Sequence, residues 1–419
     1  MRWLFDLLYA MAAVLSSPIW LVAMIRTGKI RTDWRGRFGA APRLGPAPHG
    51  RILLHAVSVG EINAIRLLVD ALADRPDPPD IVIAATTNTG IARATSLYAD
   101  RHTVVRYPLD FSFSVGRFLR RVKPTAVGLV ELEVWPNFTA ALDRAGIPVT
   151  VINGRLTERS ARRYRWIGPV VRKAMRRLAF VAVQDEAIGR RFIGLGVDEL
   201  RVLMTGSMKW DTAEIADQVE GDEDLRLALG IDPEKPLIVA GSTAPDEHAM
   251  LHAVIEAVGS DVQLMCVPRR PEWFDDAAAD LPNCVRRSAG TTPSAPTTRF
   301  LLDTIGELRA AYALADVVIV GRSFGRLHGS DMMEPIALGK PVIIGPATSD
   351  FRQQMEALRD NDAIIECERD GIASTVRRLL DDPAECAALA ERGRDVIRAH
   401  QGATMRHAEL LMSLLKADS

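Results

Sequence analysis

The chain has 419 residues, 48% hydrophobic and 25% charged, with 52 Lys and Arg against 53 Asp and Glu. That length suits two or three domains with sizeable cores, and the composition excludes a low-complexity chain. A net charge of −1 excludes a general polyanion binder, so nucleic acid is not an expected partner.

At the N-terminus, Leu7 to Ile25 is uncharged and mostly apolar. Its length is near the roughly 20 residues that cross a bilayer as a helix. No small-residue cleavage site follows, which argues against a signal peptide. The basic run Arg26–Arg37 comes next and marks a cytoplasmic flank. Pro18 would kink a spanning helix. Residues 1–30 are therefore expected to be a single membrane anchor, spanning or interfacial, for an enzyme on the cytoplasmic side. A second basic cluster, Arg155 to Arg177, is set against Glu158 alone. It suits anionic lipid or a phosphorylated ligand as well as a solvated helix face.

From residue 51 on, short apolar runs alternate with amphipathic ones. Strands are expected at Ile52–Ala56, Ile81–Ala85, Thr103–Arg106, Ala126–Val130, Val149–Ile152, Ala179–Val183 and Val202–Thr205. Helices are expected between them, including Glu61–Ala73, Ile91–Tyr98, Val115–Val122 and Ala161–Leu178. After the acidic stretch Glu214–Asp224 the pattern restarts. Strands are expected at Leu237–Ala240, Gln263–Val267, Val317–Val320 and Val342–Ile344, and the chain closes with helices near Pro383–His400 and Ala403–Leu415. The segment Ser288–Thr298 reads as a surface loop. This is an α/β chain of two parallel-sheet domains. They are expected over 31–215 and 216–419 with a cleft between them, and the last helix is free to pack back on the first domain. The four cysteines, Cys266, Cys284, Cys367 and Cys386, form no CxxC pair and suggest a reducing compartment.

Chemistry-bearing residues cluster where strands end, the usual place for ligands in such sheets. Glu61 closes His55-Ala56-Val57-Ser58-Val59-Gly60-Glu61, a strand, turn and helix start. Thr86-Thr87-Asn88-Thr89-Gly90 suits an anion cradle or a plain helix cap. Glu131 and Glu133 follow a buried strand beside Trp135-Pro136, a costly place for carboxylates without partners. Asn153-Gly154-Arg155 follows the next strand, and Lys209 in Gly206-Ser207-Met208-Lys209-Trp210-Asp211 suits stabilising developing negative charge. In the second half, Ser242 and Thr243 open a helix and suit a phosphate. Arg269, after Pro268, suits an anion. Glu334 near a helix start suits ribose hydroxyls. The chain holds no GxxxxGK[ST] loop and no HExxH, which disfavours a nucleoside-triphosphate hydrolase and a zinc protease.

Taken together, these motifs resemble the Kdo (3-deoxy-D-manno-octulosonic acid) transferases of lipid A assembly. The resemblance runs over nearly the whole chain: HAVSVGE at 55–61, TTNTG at 86–90, YPLD at 107–110, ELEVWPN at 131–137, NGRL at 153–156, GSMKWD at 206–211, GST at 241–243, PRRPE at 268–272, IGEL at 305–308 and MEPIALGKPVIIGP at 333–346. It implies two Rossmann-like domains facing across a cleft, the glycosyltransferase B type. It implies a CMP-Kdo donor used as substrate, no cofactor and no catalytic metal. It also implies a lipid A precursor as acceptor, inverting chemistry, and attachment to the cytoplasmic face of the bacterial inner membrane. Membrane lipids are then partners through the N-terminal helix and the basic patches. By that resemblance Glu61 is the general base, and Glu131, Glu133 and Lys209 stabilise the transition state. Pro268, Arg269, Ile305, Gly306, Glu307, Asp331 and Glu334 match CMP-binding positions.

The chain departs from the family pattern on the donor side. Arg270 and Trp273 replace a His and an Arg, Ile305 replaces a Met, and Ser330 and Asp331 replace a His and an Asn. Asp331 sets a negative charge where an amide is usual, and Arg269, Arg270 or Arg326 would have to compensate for it. These changes keep open the same fold with another activated sugar. A non-catalytic lipid-binding paralogue is a separate alternative, against which the intact Glu61, Glu131, Glu133 and Lys209 argue.

Overall fold

The computed structural model describes residues 2–26, 32–290 and 297–416. Among them, fourteen strands make two sheets whose strand pairs are all parallel. The first contains β1 (Arg51–Ala56), β2 (Asp80–Ala85), β3 (Thr103–Arg106), β4 (Ala126–Val130), β5 (Val149–Gly154), β6 (Val181–Val183) and β7 (Val202–Met204). The second contains β8 (Leu237–Thr243), β9 (Gln263–Pro268), β10 (Val285–Arg286), β11 (Arg299–Leu301), β12 (Val317–Val320), β13 (Val342–Ile344) and β14 (Ile365–Glu366). The orders are β3-β2-β1-β4-β5-β6-β7 and β10-β11-β9-β8-β12-β13-β14. Strand order therefore reverses between β1 and β4 in one sheet and between β8 and β12 in the other. Such reversals open a crevice at the carboxyl ends of the strands.

The central strands are covered on both faces, which is why they read as unbroken apolar runs rather than alternating ones. On one side of the first sheet, Leu53, Val82, Val127 and Val151 pack with Phe118, Phe138 and Phe192. On the other, Ile52, Leu54, Ile81 and Ile83 pack with Leu68, Leu72, Leu411 and Leu414. The second sheet has its own core, with Ile238, Leu264, Ile319 and Ile343 against Leu251, Ile255, Val376 and Leu379.

The chain forms two compact units, Met1–Thr212 with Gln401–Ser419, and Ala213–His400. The helix Ala403–Lys416 thus belongs to the first unit, where it packs on the helix Arg66–Ala73. Gly128 in β4 makes room for it, since a Cβ there would lie 3.2 Å from Leu411 Cδ2. Full burial of Leu411 contributes about 2 kcal/mol to holding the two ends of this unit together.

Several elements differ from the sequence expectation. The expected helix Glu61–Ala73 begins earlier and is two helices, Val59–Ala64 and Arg66–Ala73, meeting at Ile65. The expected helix Ala161–Leu178 is Glu158–Trp166 and Gly168–Met175. Gly168-Pro169 interrupts it, because proline has no N–H to continue the hydrogen-bond ladder. The short strands β10, β11 and β14 and the helix Pro136–Arg144 were not anticipated. Residues 291–296 of the expected Ser288–Thr298 loop lie outside the described residues.

The N-terminal helix spans Arg2–Arg26, with Pro18 inside it. Residues 27–30 of the expected anchor lie outside the described residues. Polar contacts pin this helix to the first unit. Asp6 accepts from the Ser112 N–H at 2.8 Å, the Ser112 hydroxyl and Asn137 Nδ2. Tyr9 donates to Asp110 at 3.0 Å. Burial pushes the Asp110 carboxyl up to about 6, against the N–H groups of Asn137 and Phe138. Leu7, Val14, Leu15, Ile19 and Ile25 are each more than half exposed. Among the described residues, no helix is long and apolar enough to cross a membrane.

Candidate active site

The loops that follow β1 and β4 flank the strand-order reversal of the first sheet, and three carboxylates sit on them. After β1, Ser58 caps the helix Val59–Ala64 and Glu61 is its third residue. Glu61 Oε2 accepts from the Val57 N–H at 2.7 Å and Oε1 from the Ser58 hydroxyl at 3.0 Å. The Ser58 oxygen in turn accepts from the Glu61 N–H at 3.4 Å, a variant of the serine–glutamate cap in which the glutamate takes the N–H one residue before the cap. The neighbouring Thr87 loop holds it, with the Thr87 hydroxyl donating to Val57 O at 2.9 Å. Gly90 is required there, because a Cβ would lie 2.8 Å from Val57 O.

Glu61 also lines a cavity of about 290 Å³ with Glu131, Leu132, Glu133 and Arg155. Burial pushes its carboxyl above the usual glutamate range, and nearby Glu133 adds to the rise. The Val57 N–H and the Ser58 hydroxyl pull the other way without cancelling it. A base poised above the ordinary carboxylate range is what proton abstraction near neutral pH needs.

Glu131 adopts φ +63°, a left-handed conformation that is uncommon outside glycine. Two ladder bonds hold it there: Glu131 N–H to Ile152 O at 3.0 Å and Arg155 N–H to Glu131 O at 3.2 Å. Burial and the charge of Glu61 raise its carboxyl, while Arg155 and Lys209 offset part of the rise. Glu133 moves the opposite way. Burial alone would raise it, but His55 and the Trp135 N–H, which donates at 2.8 Å, leave it below its ordinary value. His55 Nε2 stands 3.9 Å from Glu133 Oε2, an ion-pair distance beyond hydrogen-bond reach. The His55 ring is fully buried and stacks on Tyr107 with centroids 3.5 Å apart. One cavity thus holds carboxylates whose surroundings drive their proton affinities apart, the usual basis for dividing acid, base and electrostatic roles.

Lys209 joins this group through its charge on Glu131. Its loop is tied to Asn153, whose Oδ1 accepts from the Met208 N–H at 3.2 Å. Asn153 has φ +50° and is buried. Its N–H donates to His407 Nε2 at 2.7 Å, from the C-terminal helix. His407 must therefore be neutral with its proton on Nδ1, which donates to Ala403 O at 2.6 Å. Burial lowers His407 to about 4, in keeping with that role. Sequence reasoning passed over His407, since a single histidine in an amphipathic helix carries no signal of a contact 254 positions away. It also passed over His55 as an individual residue, although the motif containing it stood out.

In the second unit, Ser242 and Thr243 end β8 and lie beside the strand-order reversal. Ser242 has φ +57°. The Arg269 N–H donates to Thr243 O at 3.0 Å, and the Ser330 hydroxyl to Ser242 O at 3.5 Å. Asp331 Oδ1 accepts from the Met333 N–H at 2.8 Å, one residue before Glu334. Burial and then Asp331 raise the Glu334 carboxyl, and Arg309 opposes them. Arg269, Asp331 and Glu334 all act on the buried Tyr312 hydroxyl, so they share one electrostatic neighbourhood with Ser242. Pro268 ends β9. Glu307 sits elsewhere in the contact network, bonded to Arg287 at 3.0 Å and to the Thr304 hydroxyl. Gly306 has φ +100°, and Ile305 is 76% exposed. The substituted pair Arg270 and Trp273 stack on each other, the guanidinium 5.2 Å from the ring centroid. A residue missed in the sequence is Glu247, fully enclosed at the head of its helix. It accepts from the N–H groups of Ala244, Arg322 and Phe324 at 2.9, 2.8 and 3.2 Å.

Two parallel α/β sheets with this strand order define a glycosyltransferase B architecture. A glycosyltransferase from Rickettsia africae shows the same fold, with a TM-score of 0.58 at 11% identity over 88% of this chain and 99% of that one. The sequence profile of the 3-deoxy-D-manno-octulosonic-acid transferase (kdotransferase) family matches residues 32–212. The 3-deoxy-D-manno-octulosonic acid transferase of Bordetella pertussis is 35% identical, over 95% of this chain and 96% of its own. That of Haemophilus influenzae is 31% identical, over 88% of each. The chain belongs to the Kdo transferase family and is a glycosyltransferase.

Proposed function

We propose that this enzyme moves Kdo from CMP-Kdo to a hydroxyl of a lipid A precursor, inverting the anomeric centre. The observation that carries this reading is Glu61, a carboxylate of raised proton affinity lining a cavity with Glu131, Glu133 and Arg155. Glu61 takes the proton from the acceptor hydroxyl. The freed oxygen pair bonds to the anomeric carbon as the bond from that carbon to the CMP phosphate oxygen breaks, and CMP leaves with that pair. Attack opposite the leaving group, with no enzyme nucleophile, inverts the centre. Glu131 and Glu133 stabilise positive character at the anomeric carbon, and Lys209 the negative charge that develops.

The second unit holds the CMP moiety in this reading. Ser242 and Arg269 take the phosphate and Glu334 takes ribose hydroxyls. The expected Thr243 is fully buried, with its hydroxyl on His248 and Cys266, and does not reach the ligand. Pro268, Ile305, Gly306, Glu307 and Asp331 complete the donor site on the strength of the family resemblance. The enzyme works at the cytoplasmic face of the inner membrane. Its N-terminal helix lies in the interface rather than across it, a placement supported by the exposed Leu7, Val14, Leu15, Ile19 and Ile25.

The test is to incubate the purified protein with CMP-Kdo and a tetra-acylated, bisphosphorylated disaccharide lipid and read product mass, with Glu61→Ala in parallel. The expected result is a gain of Kdo mass that the variant lacks. Lipid binding without any gain overturns the reading and leaves another donor or a binding role.

A further inference from the structure

Beside the carboxylate cavity lies a second one of about 330 Å³, and Leu132 and Glu133 line both. Beyond Glu133 its walls are apolar, among them Val134, Ile167, Val170, Val171 and Met175. Its shape follows from the helix break at Gly168-Pro169, which splits Glu158–Trp166 from Gly168–Met175. At that break Trp166 is 92% and Ile167 56% exposed, and Trp135 on the cavity wall is 41% exposed. Single apolar side chains in water are ordinary, but several grouped around one apolar opening mark a binding surface.

The surroundings specify the ligand further. Tyr9 of the N-terminal helix forms one side of the opening, and that helix carries the exposed apolar residues already described. Arg155 lines the adjoining carboxylate cavity. Arg163, Arg165 and Arg172 are exposed on the same two helices that supply part of the slot wall, as is Arg176 at the end of the second. A ligand matching this pattern has an anionic head, a long apolar tail and a hydroxyl within reach of the carboxylates.

We infer that this slot takes one acyl chain of the acceptor glycolipid, so that the enzyme grips its acceptor by the tail as well as by the sugar. The inference rests on the lipid acceptor proposed above. The occupant is the acceptor's own chain rather than that of a bilayer lipid, because the slot adjoins the carboxylate cavity, with Leu132 and Glu133 lining both. Occupancy removes both the tail and the slot wall from water, which is the driving force for binding.

Two measurements on the full-length protein test this. In the first, an acceptor disaccharide with brominated acyl chains is titrated in, and quenching of tryptophan fluorescence is compared between wild type and Trp135→Phe. The expected result is quenching that the variant largely loses. In the second, kcat/KM for Kdo transfer is measured with acylated and fully deacylated acceptors in wild type, Val170→Phe and Ala174→Leu. Filling the slot should lower kcat/KM roughly tenfold or more for the acylated acceptor, about what two buried methylenes contribute. The deacylated acceptor should be turned over as before, which separates a filled slot from a damaged fold. Equal loss on both acceptors, no loss on either, or quenching that is indifferent to Trp135 overturns the slot. Quenching through Trp135 without transfer to any acceptor supports the slot and refutes the transferase reading instead.

Discussion

Each unit begins its sheet reversal with the same device, and the two devices do different work. After β1, Glu61 reaches back to the head of its own helix, at Val57 and Ser58. After β8, Glu247 does the same at Ala244. Both carboxyls are raised, chiefly by burial. Glu247 spends its remaining capacity on the Arg322 and Phe324 N–H groups and is 1% exposed. Glu61 keeps an edge on a cavity that also holds Glu131 and Glu133. One topology thus yields an enclosed carboxylate and one that faces a cavity, the latter being the proposed base. What separates them is whether the neighbouring loop brings backbone donors or leaves open space.

The largest effect should come from Glu61→Gln. It keeps an acceptor for Val57 but removes the proposed base, and kcat should fall about 10²–10⁴-fold with little change in thermal stability. Full activity in that variant would erase the contrast. Glu247→Ala should do the reverse. Three enclosed N–H groups lose their partner, and urea denaturation should show the second unit destabilised by about 3–5 kcal/mol. Its kcat at a temperature where the protein stays folded should be close to wild type. Loss of kcat without loss of stability would mean that Glu247 also has a chemical role.

His407 tests how the first unit depends on its returning helix. Its affinity for protons is about 4 in the fold against about 6.5 in an unfolded chain. The unfolded state therefore binds the proton first, and stability is intact above about pH 6.5 and lost as pH falls toward 4. The loss should approach about 3 kcal/mol from this group. His407→Gln should be less stable at pH 7 and lose less between pH 7 and 4.5, as followed by urea denaturation. An unchanged slope would show that the buried ring does not titrate with unfolding.

A smaller and more local effect is expected at Glu133. Its negative charge raises Glu61. In the proposed mechanism activity requires Glu61 without its proton, so kcat/KM should fall as pH drops through the Glu61 value. Glu133→Gln should move that acidic limb to lower pH while lowering the plateau. A limb that stays in place would assign the titration to another group.

The strands were legible one by one. β4, β12 and β13 begin and end where their apolar runs do, because strands covered on both faces need no polar alternation. The helices after β1 and β2 were expected from Glu61 and Ile91 and start a few residues earlier, at Val59 and Asn88, where the Ser58 and Thr87 hydroxyls cap an exposed N–H. The two-residue strands β10 and β14 were not, because so few residues carry no period. Nor was the break at Ile167, although Gly168-Pro169 announced it in hindsight.

By itself the sequence determined two α/β units, the carboxylates and hydroxyls at their strand ends, and the family. These rest on local patterns and motif order, which survive without coordinates. Only the tertiary structure decided which buried glutamate is satisfied and which faces a cavity. It alone brought His407 beneath Asn153, stacked His55 on Tyr107 and opened an apolar slot beside Glu133. Each of those depends on contacts between residues far apart in the chain, and on how burial divides charge among them.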